Sequence, residues 1–110
     1  MDEQIIPILH VANAAKAAVG YRRIGFEKQW EHRFEAHLPV FACVARGAVR
    51  IYLSEHSGDA RPDALVYLWV CNVSAIAKDF QVEIRKQPWA HEIELQDPDG
   101  NRLRIGTTKA

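Results

Sequence analysis

Every second residue along the strand-like runs of this chain belongs to one chemically distinct set: His10, Phe41, Cys43, Arg50, Tyr52, Ser54, Tyr67, Trp69, Arg102 and Arg104. Side chains alternate across a strand with period two, so these residues fall on a common kind of face. Phe41, Tyr52, Tyr67 and Trp69 bring flat rings, which hold flat heterocycles by offset stacking. His10 and Ser54 add hydrogen-bonding groups, and the arginines add forked donors. Rings with a few polar groups, gathered in a hollow, are the usual make-up of a small-molecule site. An ordinary solvent face of a half-exposed sheet also alternates in this way. Solvent faces seldom gather so many rings, because exposed apolar patches favour association. Part of such a surface is therefore expected to be closed by a second subunit. Nucleophilic catalysis finds no support, since no Ser or Cys stands in a recognisable pattern with a His partner.

The elements that must position this set follow from the same alternation. Its complement is Leu9, Val11, Val40, Ala42, Val44, Val49, Ile51, Leu53, Val66, Leu68, Val70, Leu103 and Ile105, all aliphatic, as a helix-covered core face should be. Residues 5–11 (IIPILHV) read as a strand. Asn13 caps a helix over residues 14–26, which Gly25 ends as its C′ residue. Residues 27–36 (EKQWEHRFEA) fit a strand or a loop. Residues 40–55 read as two strands turning at ARGA, and residues 56–64 as a polar linker. Residues 65–73 form another strand, and Asn72 caps a second helix over residues 73–86. A closing hairpin turns at Asp97-Pro98-Asp99-Gly100, with Trp89 at its entrance and Arg102 and Arg104 on its exit strand. The helix entrances repeat, as HVANAAKAA and WVCNVSAIAK, and suggest two copies of one supersecondary unit.

Bulk properties narrow the classes. A chain of 110 residues suits a single domain. Net charge is zero and the isoelectric point is near 7.0, so a general nucleic-acid binder is not expected. No run approaches the ~20 apolar residues of a membrane helix. The acidic start, MDEQIIPIL, lacks a signal-peptide pattern, so the expected location is cytoplasmic. Cys43 and Cys71 lie in strand-like runs without metal-site spacing and are expected to be buried reduced thiols.

PILHVAN-AAKAAVGYRRIGF resembles the opening of the glyoxalase/bleomycin-resistance/extradiol-dioxygenase (vicinal-oxygen-chelate) superfamily. EIELQDPDGNRLRI resembles its closing hairpin, and QPWAHEIELQDPDGN is closer still to the bleomycin-resistance branch. The resemblance covers most of the chain and is most specific at its ends. It implies one α+β domain over residues 1–110: two βαβββ modules, at about residues 4–56 and 64–108, forming a curved, cup-shaped mixed sheet with helices on the outer face. Such proteins are usually homodimers. One departure stands out: the second helix runs into IRKQPW, so one strand of the second module is expected to be short or missing.

Enzymes of the superfamily hold a divalent metal with His, Glu or Gln at four strand positions. By motif these are Ile6, Tyr52, Leu65 and Arg104 here, none a normal metal ligand, and a guanidinium at Arg104 would repel a cation. His32, His37 and His56 lie in polar segments, His91 in the hairpin, and His10 stands alone in the proposed cup, so no metal or cofactor is expected. In the bleomycin-resistance branch, drug is sequestered between subunits by stacking on aromatic side chains. Those positions carry over to Phe41, Tyr67 and Trp89. Trp89 suits a dimer interface as well, Trp69 suits the floor of the cup, and Trp30, in a loop-like segment, suits its rim. Bleomycins are cationic, whereas Arg50, Arg102 and Arg104 lie on the ligand face, which fits an aromatic or anionic ligand at least as well. The expected function is metal-free binding of an aromatic or heterocyclic, antibiotic-like ligand in a dimer-interface cleft, without contact with nucleic acid or membrane. The alternatives are a metal-dependent lyase, isomerase or dioxygenase with a displaced metal site, and a dimer whose aromatic face only joins subunits.

Overall fold

A computed structural model describes residues 2–109. It is an α+β protein of two compact units, Met1–Ala64 and Leu65–Ala110. The first unit runs β1 (Ile8–His10), α1 (Ala14–Arg22), β2 (Glu27–His32), β3 (Phe41–Arg46) and β4 (Val49–Ser54). Its sheet has the order β1-β4-β3-β2, with β1 parallel to β4 and the other neighbours antiparallel. The second unit repeats the plan: β5 (Leu65–Trp69), α2 (Val73–Phe80), β6 (Arg85–Lys86), β7 (Ala90–Gln96) and β8 (Arg102–Thr108), ordered β5-β8-β7-β6. These are the two βαβββ modules that the repeat and the resemblance implied. Among the described residues no helix is long and apolar enough to cross a membrane.

Both helices start by the same device. The Asn13 side chain accepts the Lys16 N–H at 3.1 Å, and the Asn72 side chain accepts the Ala75 N–H at 3.3 Å. Each bond satisfies one of the amides that a helix start leaves without an intrahelical partner. The first helix closes as a Schellman motif: Phe26 N–H donates to Tyr21 and Gly25 N–H to Arg22. Gly25, at φ +91°, is thus the C′ residue. A side chain there would also collide with Arg46, whose guanidinium donates to the Ile24 carbonyl at 2.6 Å.

The aliphatic set forms the cores. In the first unit Leu9, Val11, Val40, Ala42, Val44, Ile51 and Leu53 are buried, with α1 adding Ala14, Ala18 and Tyr21 at helical spacing. In the second, Leu68, Leu103, Ile105 and Ile93 are buried, with α2 adding Val73, Ile76 and Ala77. Each fully buried large aliphatic stabilises the fold by roughly 1.5–3 kcal/mol.

The structure corrects several expectations. Val49 is 42% exposed, because it flanks the tight turn at Gly47 where the sheet ends. Val66 and Val70 are half-buried. Cys71 is exposed, since β5 ends at Trp69 and Cys71 sits in the bend before the Asn72 cap; Cys43 is buried as expected, and burial raises its thiol pKa. The second helix stops at Phe80, where Gln81 turns left-handed at φ +55°. The strand expected to be short is present as β6, pairing only Arg85 with Glu92 and Lys86 with His91. Residues 27–32, left open between strand and loop, form β2.

Candidate functional site

On the second unit, the cross-strand register fixes which residues share the ring-bearing face. Leu65, Tyr67 and Trp69 of β5 lie beside Arg102, Arg104 and Gly106 of β8, which lie beside Gln96, Glu94 and Glu92 of β7. Gly106 decides the geometry. A Cβ at this position would stand 2.3 Å from the Tyr67 hydroxyl and 3.4 Å from the Trp69 ring. Because glycine has none, the Tyr67 side chain lies flat across β8 and donates to Glu92 Oε2, two strands away, at 2.7 Å. The Tyr67 and Trp69 rings meet at 4.8 Å between centroids, within the range of favourable aromatic pairs. Burial raises the Tyr67 phenol pKa, and the Glu92 carboxylate adds to the rise; a hydrogen bond from the Trp89 side chain opposes it. Trp89 is thereby tied into the same cluster. Tyr67, Trp69 and Trp89 nonetheless remain 40%, 51% and 56% exposed.

The arginines of this face are organised by one carboxylate. Arg104 Nε donates to Glu94 Oε1 at 3.0 Å, and Arg102 Nη1 lies 3.8 Å from Glu94 Oε2. Arg104 foremost, helped by Arg102 and Arg85, holds the Glu94 carboxyl below its ordinary range. Leu103 and Ile105, the residues between, are buried on the opposite face toward α2.

On the first unit, Phe41, Cys43, Tyr52, Ser54, Ile8 and His10 share a face by register. Arg50 is exposed at its end, and His10 is half-buried beside Ser54. Phe41 and Tyr52 meet edge to face at 5.1 Å, and Trp30 joins both, at 6.1 Å and 5.4 Å. Trp30 therefore belongs to the ring cluster and to a strand, not to a loop. Ser54 does not reach the surface: it is fully buried, its hydroxyl donates to Asp59 at 2.7 Å and accepts the His56 N–H at 3.1 Å. That hydroxyl is already committed to the following turn and drops out of the site.

The four positions where the superfamily's enzymes keep metal ligands do not fit a metal here. Ile6 and Leu65 offer no donor, and Arg104 puts a guanidinium against Glu94 where a ligating carboxylate would stand. Among the described residues no group of three or more His, Cys, Asp or Glu side chains converges.

Sequence reasoning misplaced one participant and missed two. Trp30, expected on a loop at the rim, stands on β2 against Phe41 and Tyr52. Glu92 is buried beneath Tyr67, whereas Glu94 takes the arginines. Gly106 carries no chemistry of its own, and only the register shows that it makes room for Tyr67.

A family model described as "Glyoxalase superfamily protein" matches residues 1–110. No curated protein matches in sequence. Among solved structures, the chain is similar to a bleomycin-binding protein complexed with bleomycin, at 18% identity and TM-score 0.76, covering 98% of this chain and 100% of that one. It is similar to the bleomycin-binding protein of bleomycin-producing Streptomyces verticillus complexed with copper(II)-bleomycin, at 22% identity and TM-score 0.69, covering 99% and 100%. It is also similar to TnmS3, an antibiotic binding protein from Streptomyces sp. CB03234, at 16% identity and TM-score 0.68, covering 99% of each chain. At such identities the likeness is one of fold.

Proposed function

We propose, on the premise that the chain belongs to the glyoxalase superfamily, that it is a metal-free small-molecule-binding protein. It takes up a flat aromatic or heterocyclic, antibiotic-like ligand in a cleft that a second copy of the chain completes. The observation that carries this reading is the cluster of Tyr67, Trp69 and Trp89: the Tyr67 hydroxyl is bonded internally while the three rings stay at least 40% exposed. A ring pinned at its edge loses little freedom when a flat ligand stacks on it, which favours affinity. Phe41 and Tyr52 offer a second set of rings, steadied by Trp30. His10 and Arg50 offer polar groups on the first unit's face, and Arg102 and Arg104 on the second's. Antibiotic binding by proteins of the same fold supports the ligand class, and the lack of donors at Ile6, Leu65 and Arg104 supports binding without a metal.

The test is a titration of the chain's tryptophan fluorescence with bleomycin and with other heterocyclic antibiotics. Saturable quenching near one equivalent per chain, weakened by Trp89→Ala, is expected for at least one compound. A flat response across the series, with no rise in melting temperature, defeats the reading. Elemental analysis of the purified protein checks the metal: a stoichiometric transition metal would return the chain to the enzymes of its superfamily.

A further inference from the structure

We infer that the ligand of the second unit is a flat aromatic carboxylate, stacked on Tyr67 beside Trp69 and held by the guanidinium groups of Arg104 and Arg102. This rests on the binding reading above and narrows it to one charge class. The face carries Arg85, Arg102 and Arg104 against Glu92 and Glu94, one positive charge in excess. More telling is the depth at which each sign lies. Glu92 is 5% exposed and sits under the Tyr67 phenol, which donates to it. The Glu94 side chain is 26% exposed and has both oxygens turned to arginine. The arginine side chains are 41% and 45% exposed. An arriving ligand therefore meets rings and guanidinium groups, with the carboxylates already covered or engaged.

The register sets the spacing. Tyr67 stands directly beside Arg104 and Leu65 beside Arg102 on adjacent strands. A carboxylate attached to a ring stacked at Tyr67 thus falls next to a guanidinium. Arg104 binds Glu94 through Nε, and a guanidinium carries five N–H donors, so a second carboxylate can be taken through its Nη groups. A cationic ligand in the same place would meet the surplus positive charge at short range, with no open carboxylate to offset it.

Matched naphthalenes test this: 2-naphthoate, 2-naphthamide and 2-naphthylmethylammonium, titrated calorimetrically into the full chain. Naphthoate is expected to bind at least about tenfold more tightly than the amide, the amide more tightly than the ammonium. Added salt should shrink the gap. Arg104→Gln should erase the preference for naphthoate over the amide, and Arg104→Lys should restore part of it, because charge returns without the fork. Both variants alter an exposed side chain, and thermal melting verifies that they fold. Equal affinity for the three compounds, or tightest binding of the ammonium, overturns the inference and leaves the aromatic-binding reading standing. A chain that binds none of the three and no heterocyclic antibiotic loses both.

Discussion

The two units share one plan and differ in what they put on it. His10 pairs with Ser54 as Trp69 pairs with Gly106, and Cys43 pairs with Tyr52 as Glu94 pairs with Arg104. Corresponding strand positions therefore carry Phe41, Cys43 and Tyr52 in the first unit and Glu92, Glu94 and Arg104 in the second. The first face coheres by ring contacts among Trp30, Phe41 and Tyr52. The second coheres by charge-assisted bonds, with Tyr67 and Trp69 on one strand and Trp89 at the entry to β7. The helix starts differ in the same sense. In the first unit Ala14 N–H donates to the Glu55 carboxylate at 2.8 Å, just beyond the end of β4. In the second, Val73 N–H donates to the Thr107 hydroxyl at 2.9 Å, one residue past the corresponding Gly106. One backbone scheme thus accommodates an apolar and an ionic face, because the core lies on the other side of each sheet and its strand residues are aliphatic in both.

The comparison can be broken or sharpened by substitution. The largest effect is expected at the helix starts. Glu55→Ala removes acceptors from both Ala14 and Val40 and should cost about 2–4 kcal/mol in urea unfolding, whereas Thr107→Val should cost about 1 kcal/mol. Equal costs would mean that the ionic and neutral joints are interchangeable. Next come the rings. Phe41→Ala, in a half-buried cluster, should destabilise by about 2 kcal/mol, and Trp69→Ala, half exposed, by less than about 1 kcal/mol. A reversal would show that the second face depends on its rings for stability after all.

Gly106→Ala should cost about 1 kcal/mol by forcing Tyr67 aside. Its clearer signature is in the ultraviolet titration of phenolate. The Tyr67 phenol titrates above its ordinary value in the native chain and should move back toward it in the variant. The sign for stability follows: a raised native pKa contributes fully below the unfolded phenol value of about 10 and is lost as pH climbs through the native value. Tyr67→Phe should therefore flatten the alkaline decline; an unchanged decline would exclude Tyr67 as its source.

The smallest effect is expected from Glu94→Gln, under about 1 kcal/mol, as befits a partly solvated ion pair. The Glu94 pKa is depressed, so its contribution is present above the unfolded carboxylate value of about 4.3 and disappears as pH falls through the native value. Wild type and variant should accordingly converge in acid, which parallel melts across that range would reveal.

Much of this was legible in the residues. Period-two alternation in residues 40–54 and 65–69 separates core from face, and the Asn caps, Gly25 and the Asp97 turn follow local rules that need no tertiary context. Asp97 accepts from the Asp99 and Asn101 amides, each at 2.9 Å. Trp30 was placed on a loop because EKQWEH has no apolar alternation. Its strand is an exposed edge with a bulge between Lys28 and Trp30, held by pairing with β3 and by contact with α1. The fate of Glu92 was equally hidden, since it depends on a phenol 25 residues away. Ser54 and Cys71 were misjudged for one reason: both stand at strand ends, where the next turn overrides alternation.

The Glu55 carboxylate has a consequence for motion. Its Oε2 accepts from Ala14 at the head of α1 and its Oε1 from Val40 at the entry to β3. Two segments distant in sequence thus hang on one side chain. Their amide protons should exchange with solvent in a single opening event, at matched rates, so that the first helix and the hairpin breathe together rather than fray in turn.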